Sequence, residues 1–272
     1  MILGIWGDDK TTKTTTALTA PRPIFYQEFD IGGFRRANRN IGDNTIKEWY
    51  EAGQITHKKY IMPFQLGDID PVKNIIRPSK IIVGIKELWY QWLADYMMAL
   101  KSDKYESIVI DTGTLLWEIT NTCYLQEKQE QQLPLRADGK GQDGKPLRTQ
   151  LQQIEYKEPN IRMRSITYQA QAHEKNLVMT HHSRDEYGIV KLRDGSYGEG
   201  RTGRKERNGW SALGDSADVI LQTWIKEDKK ANTITPMATV TLAEVQELVG
   251  MEFENPTFDK IAGMIKLIKG ES

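Results

Sequence analysis

Residues 7–18, GDDKTTKTTTAL, follow a short apolar run, MILGIW, and lead into a stretch that reads as the start of a helix, stopped by Pro21 and Pro23. A strand that ends in glycine and turns at once into a helix brings backbone N–H groups to one point, which suits an anion. The stretch nearly spells G-x-x-x-x-G-K-[ST], the pattern of a phosphate-binding loop, with Thr12 where the second glycine belongs. In the register that starts at Gly7, Asp8, Asp9, Lys10, Thr11, Thr12 and Thr15 complete the loop. Lys13 then reaches the β- and γ-phosphates, and the Thr14 hydroxyl faces Mg²⁺. A second register, from Gly4 through Asp9, Lys10 and Thr11, has the same spacing. It buries Gly4 in mid-strand and sets Asp9 against the phosphates, so the first register is preferred. Glycine at position 12 would let the backbone approach a ligand without a Cβ. Threonine can take the same left-handed conformation at about 1–2 kcal/mol, or block it. The plain alternative is a threonine-rich turn with no ligand, and the rest of the chain has to decide.

Elsewhere the chain alternates strand and helix signals. Strands are expected over residues 23–30, 60–64, 107–110, 176–180, 219–224 and 233–242, and helices over 82–100, 115–129, 161–174 and 258–269. The spacing of Leu88, Trp92 and Tyr96 makes residues 82–100 the strongest amphipathic helix. Residues 34–56 are polar and carry little to place. Residues 131–150 and 183–210, rich in glycine and mixed charge, read as flexible loops. No internal repeat or linker is evident, so one domain over residues 1–272 is expected, with a mostly parallel sheet covered by helices on both faces. A small antiparallel addition is expected at 219–242.

Composition narrows the class. Lys plus Arg and Asp plus Glu are both 37, so net charge argues for neither nucleic acid nor membrane. The single cysteine, Cys123, excludes an internal disulfide and suits a reducing compartment. The first ten residues are too soon acidic for a signal peptide, and no run approaches the roughly 18 apolar residues of a membrane span. A cytoplasmic protein is expected.

Four later features suit a nucleotide enzyme. IVID at 108–111 is an apolar strand ending in Asp111, an acid that can hold Mg²⁺ opposite the loop. QEFD at 27–30 ends a strand with Glu28 and Asp30, either of which could orient or deprotonate water. LVMTHH at 177–182 carries His181 and His182 past a strand end, where ligands of parallel sheets sit. The following loop holds Lys191, Arg193, Arg201, Arg204, Lys205 and Arg207 with Tyr197 and Trp210 interleaved, a composition that suits a single-stranded nucleic acid. Separately each has a bland reading: a strand-capping aspartate, solvated acids, structural histidines, a solvated loop.

In this order the features resemble the RecA-type P-loop ATPase core. PRPIFYQEFDIGG after the loop and SADVILQTW near the end are similar to phage-encoded RecA-like ATPases, some of which act as single-strand annealing recombinases. The resemblance covers most of residues 1–224 in order. It implies ATP and Mg²⁺ as cofactors, with Lys13 and Thr14 on phosphate and ion, Asp111 as the second acidic motif, and Asp30 or Glu28 activating water. His182 or His181 would link the γ-phosphate to DNA-facing loops at 125–160 and 183–209. It further implies an ATPase that binds single-stranded DNA in phage recombination or replication and forms a homo-oligomeric ring or filament in the cytoplasm of a bacterial host. A phage single-strand-binding protein is a candidate partner, and Arg162, Arg164 or Lys226 are candidates for an arginine or lysine reaching a neighbouring subunit. Two other classes stay open: a DNA-annealing or scaffolding module without turnover, because Thr12 replaces glycine, and a small-molecule P-loop kinase with 201–207 as its lid.

Overall fold

In the computed structural model, which describes residues 1–38, 45–63, 66–70, 75–191 and 196–270, the initial apolar run becomes β1 (Ile2–Gly7), buried at every position. It leads into α1 (Lys13–Ala17), β2 (Ile24–Glu28), α2 (Gly33–Ala37), α3 (Thr45–Glu51) and β3 (Ile55–Lys59). A separate antiparallel pair, β4 (Leu66–Asp70) and β5 (Ile75–Pro78), follows. Next come α4 (Ile85–Lys101), β6 (Ser107–Asp111), α5 (Gly113–Glu130), α6 (Lys157–Ala172), β7 (Asn176–Lys191) and β8 (Tyr197–Arg207). The chain closes with β9 (Val219–Asp228), β10 (Thr233–Ala243), β11 (Glu252–Glu254) and α7 (Phe258–Lys269).

Nine strands form one sheet in the order β11-β10-β9-β1-β7-β6-β2-β3, with β8 paired to β7. From β9 to β3 the strands run parallel, and β10, β11 and β8 are antiparallel to their neighbours. The chain is therefore α/β with a mostly parallel sheet, as the alternation of elements predicts.

Period-two alternation sorts the apolar residues of the strands into two layers. Ile2 and Trp6 of β1, Phe25 of β2, Ile108 and Ile110 of β6, and Leu177 and Met179 of β7 face one core, closed by α4, α5 and α6. Leu3 and Ile5, Ile24 and Tyr26, Val109 and Val178 face the other, closed by α1, α2, α3 and α7. Strands covered on both faces read as continuous apolar runs, which is why IVI and LVM were recognisable. On the first face, Trp92 stacks on Tyr96 with ring centroids 5.3 Å apart, beside Trp89 at 5.1 Å.

Four expectations are corrected. Residues 34–56 are not wholly irregular: α2, α3 and the start of β3 lie there. The strand expected at 60–64 is Ile55–Lys59, residues 60–63 belong to no helix or strand, and Phe64 lies outside the described residues. Residues 183–209 are not a loop: β7 continues to Lys191 and pairs antiparallel with β8 as a long hairpin. Finally, β9 belongs to the parallel sheet through β1, so the antiparallel addition is β10 and β11. Residues 131–152 contain turns and one isolated bridge, Lys140 to Pro146. Among the described residues no helix is long and apolar enough to cross a membrane.

Ile5, fully buried in the second layer, and Ile189, 71% exposed on the hairpin, offer a direct contrast. Ile5→Ala is expected to cost about 2–5 kcal/mol and Ile189→Ala less than about 0.5, measured by denaturant unfolding. Similar losses would mean that the layers are assigned wrongly.

Candidate functional site

Strand register brings the sequence motifs to one edge. Gly7 lies opposite His182 on β7 and opposite Thr223 on β9, and Glu28 lies opposite Asp111. The carboxyl ends of β1, β6 and β2 thus lie beside Thr180–His182 of β7 and Thr223 of β9, where the parallel pairing stops and where a parallel sheet places ligands. A cleft of about 510 Å³ opens there. It is lined by Asp9 through Thr15, Asp30, Gly33, Arg36, Ala37, Asp111, Thr112 and His182.

The loop folds as a compact cradle. A Cβ at Gly7 would sit 2.4 Å from the Thr223 carbonyl, so only glycine can leave β1 this close to β9. Thr11 Oγ1 donates to the Asp8 carbonyl at 2.8 Å and lies 2.7 Å from Thr223 Oγ1. Thr12 sits at φ 67°, the left-handed conformation that a glycine would take at this point. Its hydroxyl donates to the Thr11 carbonyl at 2.6 Å, a local bond that offsets part of the strain. Threonine thus occupies the left-handed position with its hydroxyl bonded. Lys10 is also left-handed, at φ 63°.

Lys13 turns back into the cradle, its Nζ donating to the carbonyls of Gly7 at 2.9 Å and Asp8 at 2.6 Å. Burial pushes its ammonium below the usual lysine value, and the neighbouring carboxylates of Asp9, Asp111, Asp8 and Asp30 oppose that push. An anion at the cradle would restore the lost solvation.

Asp111 is the floor of the cleft. Its Oδ2 accepts from Thr14 Oγ1 at 2.9 Å and from the Tyr26 hydroxyl at 2.5 Å, and Thr180 Oγ1 donates to Oδ1. Burial raises its pKa, while the three hydroxyl donors favour the carboxylate. A Cβ at Gly33 would come within 2.6 Å of Oδ2, so α2 packs tightly on this acid.

The paired candidates separate. Glu28 is fully buried, with Oε1 accepting the N–H groups of Gly32 and Phe34, each at 3.0 Å, and Oε2 bonded to His57 Nε2 at 2.9 Å. It anchors α2 and is not among the residues that line the cleft. Asp30 lines the cleft, 3.6 Å from Arg36 and 4.0 Å from His182 Nε2. His181 is fully buried against Gly113 and Gly209, both ring nitrogens without a hydrogen-bond partner among the described residues, and burial holds it well below the usual histidine value. His182 is the histidine in the cleft, its Nδ1 3.8 Å from Asp9. Its main chain is clamped by Thr114, whose Oγ1 accepts the His182 N–H at 3.0 Å and donates to the Asn208 carbonyl at 2.6 Å.

The basic candidates lie on or beside the hairpin. One face carries Tyr187 opposite Arg201, Ile189 opposite Glu199, Lys191 opposite Tyr197, and Asp185 opposite Lys205. Tyr187, Ile189 and Tyr197 are 64%, 71% and 75% exposed. Asp185 pairs with Arg201 at 3.2 Å and Lys205 at 2.7 Å, which leaves their charge partly neutralised. Arg204 and Lys191 are exposed, and Arg193 lies outside the described residues. Arg207 donates to the Ser211 carbonyl at 3.0 Å, and burial pulls its guanidinium down to about 10. Ser183 at the hairpin root bonds to Asp8 of the cradle. Arg162 is held by Glu127, at 2.8 and 3.1 Å, and Glu158, so it serves the α5–α6 packing. Tyr26, Thr180, Thr223 and Arg36 are site residues that sequence reasoning missed. Only Thr180, beside the two histidines, had a positional signal.

No known protein family matches the chain by sequence, and no curated protein sequence is significantly similar to it.

The left-handed Thr12 predicts an ordering. Thr12→Gly should be at least about 1 kcal/mol more stable than Thr12→Val, which keeps the branched Cβ and loses the hydroxyl bond. Equal unfolding midpoints would contradict the assigned backbone. Glu28 predicts a pH effect. Burial pushes its carboxyl up, but the bonds from His57, Phe34 and Gly32 outweigh this and hold it below the usual value. Its contribution is therefore present above the ordinary pKa of about 4.3 and lost as pH falls through the lower folded value. Wild-type stability should fall faster than that of Glu28→Gln below about pH 4.5, and parallel curves would contradict this.

Proposed function

We propose that the protein is a RecA-like P-loop ATPase that binds single-stranded DNA, with Mg-ATP in the cleft at the end of β1. The observation that carries the reading is the convergence, at one sheet edge, of the Gly7–Thr14 cradle, the inward Lys13, the Thr14–Asp111 pair and Asp30. Sequence composition alone would not require these to meet. A P-loop fold is further supported by the strand order, which sets β7 with its polar end between the cradle strand and the Asp111 strand.

The residues fit a magnesium ion. Thr14 Oγ1 and Asp111 Oδ2 are hard oxygen donors 2.9 Å apart, close to the edge of an octahedron with arms of about 2.1 Å. Among the described residues no group of three or more His, Cys, Asp or Glu could hold a metal unaided, so phosphate oxygens would complete the shell. When bound, the ion neutralises charge on the phosphates.

In this reading, the cradle N–H groups and Lys13 bind the β- and γ-phosphates, and Lys13 exchanges its carbonyl partners for phosphate oxygens. Asp30 accepts a proton from the attacking water. That water's oxygen bonds to the γ-phosphorus while the bond to the β-bridging oxygen breaks, giving ADP and inorganic phosphate. Preorganised charge supplies most of the rate gain. His182, between Asp9 and Asp30, is placed to feel the terminal phosphate. Its main chain is tied to the root of the hairpin, whose exposed Tyr187, Tyr197, Lys191 and Arg204 suit stacking and backbone contact with single-stranded DNA.

ATP hydrolysis with Mg²⁺ should be measurable, should rise when single-stranded DNA is added, and should fall to background in Lys13→Ala. An absence of turnover with DNA binding retained would instead support an annealing or scaffolding module. Phosphate transfer to a small acceptor, with no DNA effect, would support a kinase.

A further inference from the structure

We propose that Arg36 is the residue that recognises the terminal phosphate, and that Asp30 holds it until that phosphate arrives. This rests on the polyphosphate reading above and names a recognition residue inside it. Of the cations lining the cleft, Lys13 serves the phosphates from inside the cradle, beside the Gly7 and Asp8 carbonyls, and Lys10 belongs to the loop itself. Arg36 reaches in from the opposite wall and stands beside the candidate water-activating acid.

Its root is rigid and its head is loose. Glu28 accepts two N–H groups at the start of α2, Gly33 packs on Asp111, and Phe34 lies against His57 with ring centroids 4.3 Å apart. The guanidinium, by contrast, has among the described residues one long ion pair, to Asp30 at 3.6 Å, with side chains 57% and 36% exposed. Such an exposed, long pair is weak, whereas a guanidinium on phosphate can form two parallel charge-assisted bonds. A terminal phosphate entering between Lys13 and Asp30 would therefore draw Arg36 away. The Asp30 carboxylate, released from Arg36 and left with the His182 ring 4.0 Å away, can then accept the water proton. The same exchange keeps the acid occupied when no terminal phosphate is present, so a nucleoside diphosphate should bind without engaging Arg36.

The test compares equilibrium affinity for ADP and for a non-hydrolysable ATP analogue, each with Mg²⁺, in wild type, Arg36→Ala, Arg36→Lys and Asp30→Asn, alongside ATP turnover. Arg36→Ala should weaken the analogue about tenfold, leave ADP within about twofold, and slow turnover about 100-fold. Arg36→Lys should recover only a minor part of that rate, since an ammonium cannot bond the phosphate as a fork. Asp30→Asn should bind the analogue a few-fold more tightly, about threefold, because Arg36 has lost its competitor, while turnover is lost. Arg36 is exposed, so its variants should fold, and unchanged ADP affinity checks that. Wild-type binding and turnover with Arg36→Ala unchanged, or both nucleotides weakened equally, would overturn the Arg36 assignment alone. A wild type that binds neither nucleotide would overturn the underlying reading and this assignment with it.

Discussion

The buried carboxylate of Asp111 ties the candidate site together. Three hydroxyls from three different elements converge on it: Thr14 of α1, Tyr26 of β2 and Thr180 of β7. A carboxylate buried this deeply is costly unless each oxygen is satisfied, and these donors satisfy both. Satisfying them also fixes the spacing of the cradle, the acid-bearing β2 and the histidine-bearing β7. Gly33 extends the same constraint to α2, since any side chain there would collide with Oδ2. The cleft wall carrying Asp30 and Arg36 is therefore set by the acid at its floor.

Charge in the cleft is nearly balanced, and that balance shapes the chemistry. Asp9, Asp30 and Asp111 face Lys10, Lys13 and Arg36. A polyphosphate meets no strong positive field, which makes the geometry of each cation more important than the total. Lys13 is preorganised by carbonyls that phosphate oxygens can replace. Asp8 and Asp9 reach from the cradle toward Ser183 and His182, so the loop that would bind phosphate is in direct contact with the base of the hairpin.

The parallel core was legible because strands buried on both faces are continuous apolar runs, and the apolar runs of β1, β6 and β7 are each followed by polar residues that mark the edge. Thr12 was legible as an anomaly, though not as a left-handed residue, because sequence gives the chemistry of a position and not its φ. The hairpin was missed for a physical reason. Its strands carry charges and glycines instead of a buried face, so hydrophobic periodicity is silent there. Asp194-Gly195 is the one hairpin signal in that part of the sequence. Glu28 and Asp30 could not be separated by type or spacing. Only the N–H groups of Gly32 and Phe34, bent back by the turn into α2, show which carboxylate is consumed by structure. Arg36 lay in a polar stretch with no periodicity at all.

The central claim is that the cradle binds the phosphates of a nucleotide despite Thr12. Isothermal titration calorimetry of the full chain with Mg-ATP and, separately, AMP tests it most directly. The account predicts saturable binding of Mg-ATP at least about tenfold tighter than AMP, with the difference abolished in Lys13→Ala. Equal affinity for the two, or no binding of either, would contradict it.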